Sequence, residues 1–271
     1  MKGILVYTKE DAVVNRWFIG HLIEVSKNYG AELSLIIHND SSFFDGQKYE
    51  NVDFCINRSR LSIVNKVLEA QGVPCFNNLQ TVEIANDKYK TYLLCKELSL
   101  PVMNTCLYTK ENLSNFTFPC VLKSVNGHGG QEVFLLENEE SAERLMLSQD
   151  KTYILQELAS HKGEDVRVYV LGGKPVAAVR RSSEENFRSN FSLGGKAELA
   201  EVEGEQAEII KALQEHLHTD YAGFDFIRHN GRWVLNEIED AVGSRMLYTL
   251  CNYDAGEAYL RYIFDKLDFN R

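Results

Sequence analysis

Three acidic residues late in the chain, Asp225, Glu237 and Glu239, are spaced so that they could act on one ligand. They lie in AGFDFIRHNGRWVLNEIEDAVGSRMLY, residues 222–248, which reads as two short strands around the turn signal His229-Asn230-Gly231. Glu237 and Glu239 are two residues apart, so both leave the same face of a strand. Asp225 stands between Phe224 and Phe226, whose rings face the other way. Three carboxylates on one face repel each other unless a cation joins them, and all-oxygen ligation suits Mg²⁺, usually together with substrate phosphates. Turn length decides whether they meet. A two-residue Asn-Gly turn pairs Asp225 with Asn236, on the wrong face for Glu237. A three-residue loop, 229–231 with Gly231 left-handed, pairs it with Leu235 and brings the carboxylates together. The metal reading requires the longer loop; the alternative is a polar edge hairpin with solvated carboxylates.

A second candidate lies in FPCVLKSVNGHGG. A strand ends in Lys123 and runs into a loop holding Gly127, Gly129 and Gly130 before the next strand, 133–136. Glycines let backbone N–H groups approach phosphate oxygens, and the lysine supplies charge. The pattern is not GxxxxGK[ST] and no helix follows directly, so it is not a Walker P-loop; a plain glycine turn is the alternative. Lys88 sits in the first turn of a helix opened by Asn86-Asp87, where the dipole disfavours a cation. It needs an anionic partner, a phosphate or a nearby carboxylate. Arg58 and Arg60 follow the carboxyl end of a strand, where ligands of open α/β sheets bind; they suit an anionic substrate or, equally, a plain surface role.

These residues must be positioned by two kinds of structure. Residues 3–7, 33–37, 52–56 and 73–76 read as strands alternating with helices over 17–29 and 61–70. That βαβ order implies a small, mostly parallel sheet, and no GxGxxG follows its first strand. In the helix after Asp87, Tyr89, Tyr92, Leu93 and Leu98 form the expected apolar face. An amphipathic helix is expected over 138–147 and another over 206–218. Residues 153–158 form a strand. Residues 165–171 alternate strictly, with Val166, Val168 and Val170 toward a core and Asp165, Arg167 and Tyr169 toward a polar space. A return strand, 175–181, leads into a long polar loop, 182–195, and Asp254 with Glu257 caps the last helix.

Composition sets the limits. The 271 residues suffice for two small domains or one large one, with 44% hydrophobic and 25% charged residues, as in ordinary globular proteins. No apolar run reaches spanning length and no signal peptide is apparent, which makes the cytoplasm the default location with no membrane partner. Six cysteines form no CxxC pair and read as buried free thiols. A net charge of −10 argues against a nucleic-acid partner. Within it, Lys174, Arg180, Arg181, Arg188 and Lys196 make a basic segment suited to an anion or to a solvated face.

Taken in order, Lys88, Lys123 before GxGG, QEL, GEDVR, FRSN…GG, FD and NEIE resemble the ATP-grasp superfamily, closest to RimK-type carboxylate–amine ligases. The resemblance implies an N-terminal α/β domain over 1–85 and an ATP-grasp fold over 86–271, two antiparallel sheets clamping ATP, with 118–155 as a mobile lid. Lys88 and Lys123 would hold ATP phosphates under the loop Gly127, Gly129 and Gly130. Gln156, Glu157 and Leu158 would line adenine, and Asp165 would accept from the ribose. Arg188 and Asn190 would meet the γ-phosphate and metal region, and Asp225, Glu237 and Glu239 would bind two Mg²⁺. Arg188, helped by Arg180 or Arg245, would stabilise the oxyanion of the second step. Glu239 stands where the family usually has Asn, which leaves the metal count open, and Asp240-Ala241-Val242 replaces the usual Ser-Pro, so substrate identity does not transfer.

The implied reaction joins a small-molecule or peptide carboxylate to an amine through an acyl phosphate. A kinase on the same scaffold and a non-catalytic nucleotide-binding module are the alternatives. Oligomeric state, including a homo-oligomer, is left open.

Overall fold

The structure is a computed structural model that describes residues 1–38, 49, 51–130, 132–183 and 196–269. The first part of the chain contributes β1 (Lys2–Thr8), α1 (Lys9–Val14), α2 (Arg16–Asn28), β2 (Glu32–His38), β3 (Phe54–Asn57), α3 (Ser62–Glu69), β4 (Cys75–Phe76), α4 (Leu79–Ala85) and α5 (Lys88–Glu97). Its four strands form a parallel sheet in the order β2-β1-β3-β4, as the alternating pattern predicts. In α5 the expected face is not the buried one. Thr91, Leu94 and Cys95 are buried and Leu93 is 48% exposed, because the helix packs on the core beneath β13 rather than along its tyrosines.

The middle of the chain adds β5 (Thr105–Leu107), α6 (Lys110–Ser114), β6 (Cys120–Ser124), β7 (Val133–Leu136), α7 (Glu139–Glu143) and β8 (Tyr153–Glu157). These strands make an antiparallel sheet, β5-β8-β6-β7, with its own core of Leu113, Cys120, Leu122, Leu136, Tyr153 and Leu155. This sheet therefore begins earlier than residue 118, because β5 pairs with β8. Helix α7 spans only half of the segment expected to be helical.

The last part holds β9 (Glu164–Leu171), β10 (Lys174–Ser182), β11 (Lys196–Ala200), α8 (Gly204–Leu217), β12 (Tyr221–His229), β13 (Arg232–Glu239), α9 (Arg245–Leu250) and α10 (Ala255–Phe269). Its five-stranded antiparallel sheet runs β11-β10-β9-β12-β13. Strand β11 has no clear sequence signal, being alternating but charged. One sheet face, with Val166, Val168, Val170, Phe224 and Phe226, packs on α8 and α5. The other carries Tyr169, Val179 and Tyr221 and shares a core with β1, α2 and α10. That second face turns polar toward one end, and the candidate site lies there. Among the described residues the cysteines are all free, and no helix is long and apolar enough to cross a membrane.

Candidate active site

The ribbon β12–β13 turns through two residues. Asn230 and Gly231 both have left-handed φ, 50° and 79°, and His229 pairs with Arg232. Such a turn matches the twist of the flanking strands. The three-residue loop that the spacing requires does not form. The carboxylates still converge, because the register shifts between Asp225 and Phe226: Phe226 pairs with Leu235, but Asp225 pairs with Glu237 and Gly223 with Glu239. Asn236 is the extra residue of a β-bulge, which resets which side chains face the same way. Phe224, Phe226, Leu235 and Ile238 enter the core. Asp225, Glu237 and Glu239 face away from it, with carboxylate oxygens within 4.8 Å of one another.

Two arginines organise this cluster. Arg167, opposite Asp225 on β9, donates Nε to Oδ1 and Nη2 to Oδ2 of Asp225, both at 2.7 Å. Its Nη2 also lies 2.7 Å from Glu239 Oε1. Arg181 on β10 donates Nη2 to Asp225 Oδ2 at 2.7 Å and grips both oxygens of Asp165. Burial would raise the carboxyl of Asp225, but Arg167 and Arg181 outweigh it and hold it down at about 2.

The lysines close the other side. Lys123 Nζ donates to Gln156 Oε1 at 2.6 Å and to Asn236 Oδ1 at 2.9 Å. Burial, offset in part by Glu237, lowers its ammonium to about 8. Lys88 Nζ donates to the Gly127 carbonyl and lies 3.3 Å from Glu237 Oε2, so its anionic partner in this structure is a carboxylate. Lys88, Lys123, Gly127, Gly129, Gly130, Gln156, Glu157, Leu158, Asp165, Asn236 and Glu237 line one cleft between the two antiparallel sheets. A second, larger cavity of about 1200 Å³ lies beyond it. Arg167, Arg181, Glu239 and Arg245 line that one, while Glu237, Gly127 and Gly129 line both.

Several expected placements are corrected. Arg180 points away from the site, toward Glu164 at 3.8 Å and Glu198 at 3.4 Å. Arg181 faces inward instead, because strand alternation allows only one of the two. Asp165 lines the cleft, but both its oxygens accept from Arg181; this engages the carboxylate expected at the ribose. Arg58 is buried, donates to the Val242 carbonyl at 2.7 Å and sits over the Phe18 ring; it supports the chain after β13. Arg188 and Asn190 lie outside the described residues.

Residues 85–263 match the model of the RimK-like ATP-grasp domain. The chain belongs to that family. This RimK-like ATP-grasp protein is 32% identical to an uncharacterized protein of Mycoplasma genitalium over 92% of its length and 88% of the relative's. It is 26% identical to a probable alpha-L-glutamate ligase of Maridesulfovibrio salexigens, covering 90% of this chain and 87% of that one. Its fold is that of the D-alanine–D-alanine ligase of Bacillus anthracis solved with ATP, with a TM-score of 0.78 at 17% identity over 100% of this chain and 98% of that one.

The donor set fits a magnesium ion. Glu237 and Glu239 are part-exposed, Glu239 keeps one oxygen clear of Arg167, and Oδ1 of Asp225 keeps a lone pair beside its single bond from Arg167. Among the described residues of this RimK-like site, Lys88, Arg167 and Arg181 are already ion-paired with Asp165, Asp225, Glu237 and Glu239. A triphosphate therefore needs accompanying cations to enter without leaving net charge buried. Sequence reasoning missed Asn236 and the inward role of Arg181. The Arg-Arg pair is visible as a signal, but nothing local says which arginine faces in.

Proposed function

We propose that this protein is an ATP-dependent ligase that joins a carboxylate to an amine through an acyl phosphate, releasing ADP and phosphate. The observation that carries the reading is that Glu237 and the glycine loop border two cavities at once. One has the lysines and glycines of a phosphate cradle; the other has room for two organic substrates. Transfer between them would take place at the shared wall.

Asp225, Glu237 and Glu239 would hold Mg²⁺, which supplies charge neutralisation on the triphosphate. Lys88 and Lys123 would bind phosphate oxygens, and the loop through Gly127 to Gly130 would cover them and exclude water. A carboxylate oxygen of the acid substrate attacks the γ-phosphorus and ADP leaves. The amine nitrogen then attacks the acyl carbon and inorganic phosphate leaves. Arg245, which lines the second cavity, is the described cation best placed for the oxyanion of that step; Arg188, outside the described residues, would assist it only as the family resemblance implies. Arg167 and Arg181 would fix the orientation of Asp225 and Glu239. No side-chain nucleophile is required.

The test is Mg²⁺-dependent ADP release with pooled carboxylic acids and amines, followed by mass spectrometry for an amide. ADP together with an amide upholds the reading. ADP with a phosphorylated product and no amide replaces it with phosphoryl transfer, and nucleotide binding without turnover in any pool overturns it.

A further inference from the structure

The second cavity has an apolar wall that acyl transfer does not require. Trp17 of α2 is 61% exposed, yet its orientation is fixed. Its indole stacks on His21, with 5.1 Å between centroids and 11° between planes, and the ring of Tyr248 meets it edge-on at 4.8 Å and 79°. His21 Nε2 lies 2.8 Å from Asp254 Oδ1. The Tyr248 hydroxyl donates to Asp254 at 3.0 Å and accepts from the Gly256 N–H at 2.8 Å. The N-terminus of α10 thus pins aromatic rings from α2 and α9 together. Val14, Trp17, Phe18, Met246 and Tyr248 all line the cavity that Glu237 and Glu239 border. An exposed aromatic held rigid in this way gives up little conformational entropy when a ligand covers it.

Nearby arginines do not form a seat for an acidic side chain. Arg58 is buried against Val242, Arg60 is paired with Asp11 at 2.6 Å, and Arg167 and Arg181 are held within the carboxylate cluster. Among the described arginines of this wall, Arg245 is left to meet an anion, and a substrate's own carboxylate supplies one. We propose that one of the two organic substrates is an amino acid or short peptide with an aromatic or bulky aliphatic side chain, which packs on Trp17 and Tyr248. This rests on the ligase reading for the word substrate, but not for the binding site itself.

The experiment is calorimetric titration of the full chain, with Mg²⁺ and a non-hydrolysable ATP analogue present, using phenylalanine, leucine, glutamate and their glycyl dipeptides. ADP release is measured in parallel with ATP and the same compounds. The expected result is saturable binding of Phe- or Leu-bearing ligands at least about tenfold tighter than Glu-bearing ones, with Trp17→Ala removing that preference while melting temperature and nucleotide affinity hold. Glu-bearing ligands binding as tightly, no saturation by any apolar ligand, or apolar binding indifferent to Trp17→Ala would each overturn the proposal. Trp17-dependent apolar binding without ADP release from any ligand would uphold the pocket and sink the ligase reading instead.

Discussion

Asp225 stands directly across the β12–β13 ribbon from Glu237, and the unpaired Asn236 makes it so. Without that bulge the two-residue turn would set Asp225 against Asn236. With it, Asn236 also comes within 2.9 Å of Lys123, so a single extra residue serves both the carboxylate cluster and the lysine near the end of β6. The arrangement and its surroundings can be tested at four positions.

Gly223, two residues before Asp225, has no room for a side chain. A Cβ there would lie 2.7 Å from Val242 Cγ2 and 3.3 Å from Arg167 Cδ. Val242 is fully buried and Arg167 is anchored by two carboxylates, so neither yields cheaply. Gly223→Ala should destabilise by about 1–3 kcal/mol through overpacking and reduce ADP release more than that loss accounts for, since Arg167 is displaced from Asp225. Chemical denaturation and a turnover assay check both halves; wild-type turnover would show that Arg167 does not position the cluster.

Glu237→Gln keeps the shape and removes the charge. The Glu237 side chain is 25% exposed and its ion pair with Lys88 is 3.3 Å long, so stability should change by no more than about 1 kcal/mol. ADP release should fall by about a hundredfold or more. Full activity in a folded variant would remove the carboxylate cluster from the mechanism.

Lys123 gives a pH signature. Burial lowers its ammonium to about 8, so the free protein loses this charge as pH rises from about 7 to about 9. A cation that binds phosphate is useful only while protonated. Affinity for ATP should therefore decline across that window, and Lys123→Arg, which stays charged, should flatten the profile. Nucleotide titrations between about pH 6.5 and 9.5 decide it; parallel profiles for the two proteins would assign the decline to another group.

Gly129 has φ +68°, and a Cβ there would meet nothing within 4 Å. Gly129→Val thus creates no clash but forces a β-branched residue into left-handed backbone, at a cost of about 1–2 kcal/mol. The strain falls within the loop between β6 and β7. ATP affinity should drop more than the melting temperature; unchanged affinity would count against a phosphate-covering role.

Local pattern makes much of this protein legible in its sequence. The parallel βαβ order, the alternation that sends Val166, Val168 and Val170 inward and Arg167 outward, and the lysine-glycine loop are all short-range signals, and each forms. The family resemblance rests on the order of such signals, and the match over residues 85–263 agrees with it.

What pattern does not reveal depends on partners distant in the chain. The buried face of α5 departs from its apolar stripe because Leu94 and Cys95 meet the core that contains Trp233 and Leu235, which no helical period shows. Arg180 and Arg181 are equivalent as letters, and only pairing of β10 with β9 turns Arg181 to Asp165. Strand β5 joins the four-stranded antiparallel sheet because β8, far along the chain, offers it an edge.

By itself, then, the sequence determined which chemical groups exist and which local elements carry them, because backbone propensity and side-chain alternation act over a few residues. The tertiary structure decided which of those groups meet: Asp225 with Glu237 through a bulge, Asp225 with Arg167 and Arg181 through sheet register, and Trp17 with Tyr248 through the packing of α2 and α9. Each of these contacts is set by long-range packing, whose energy comes from burying surfaces far apart in the chain.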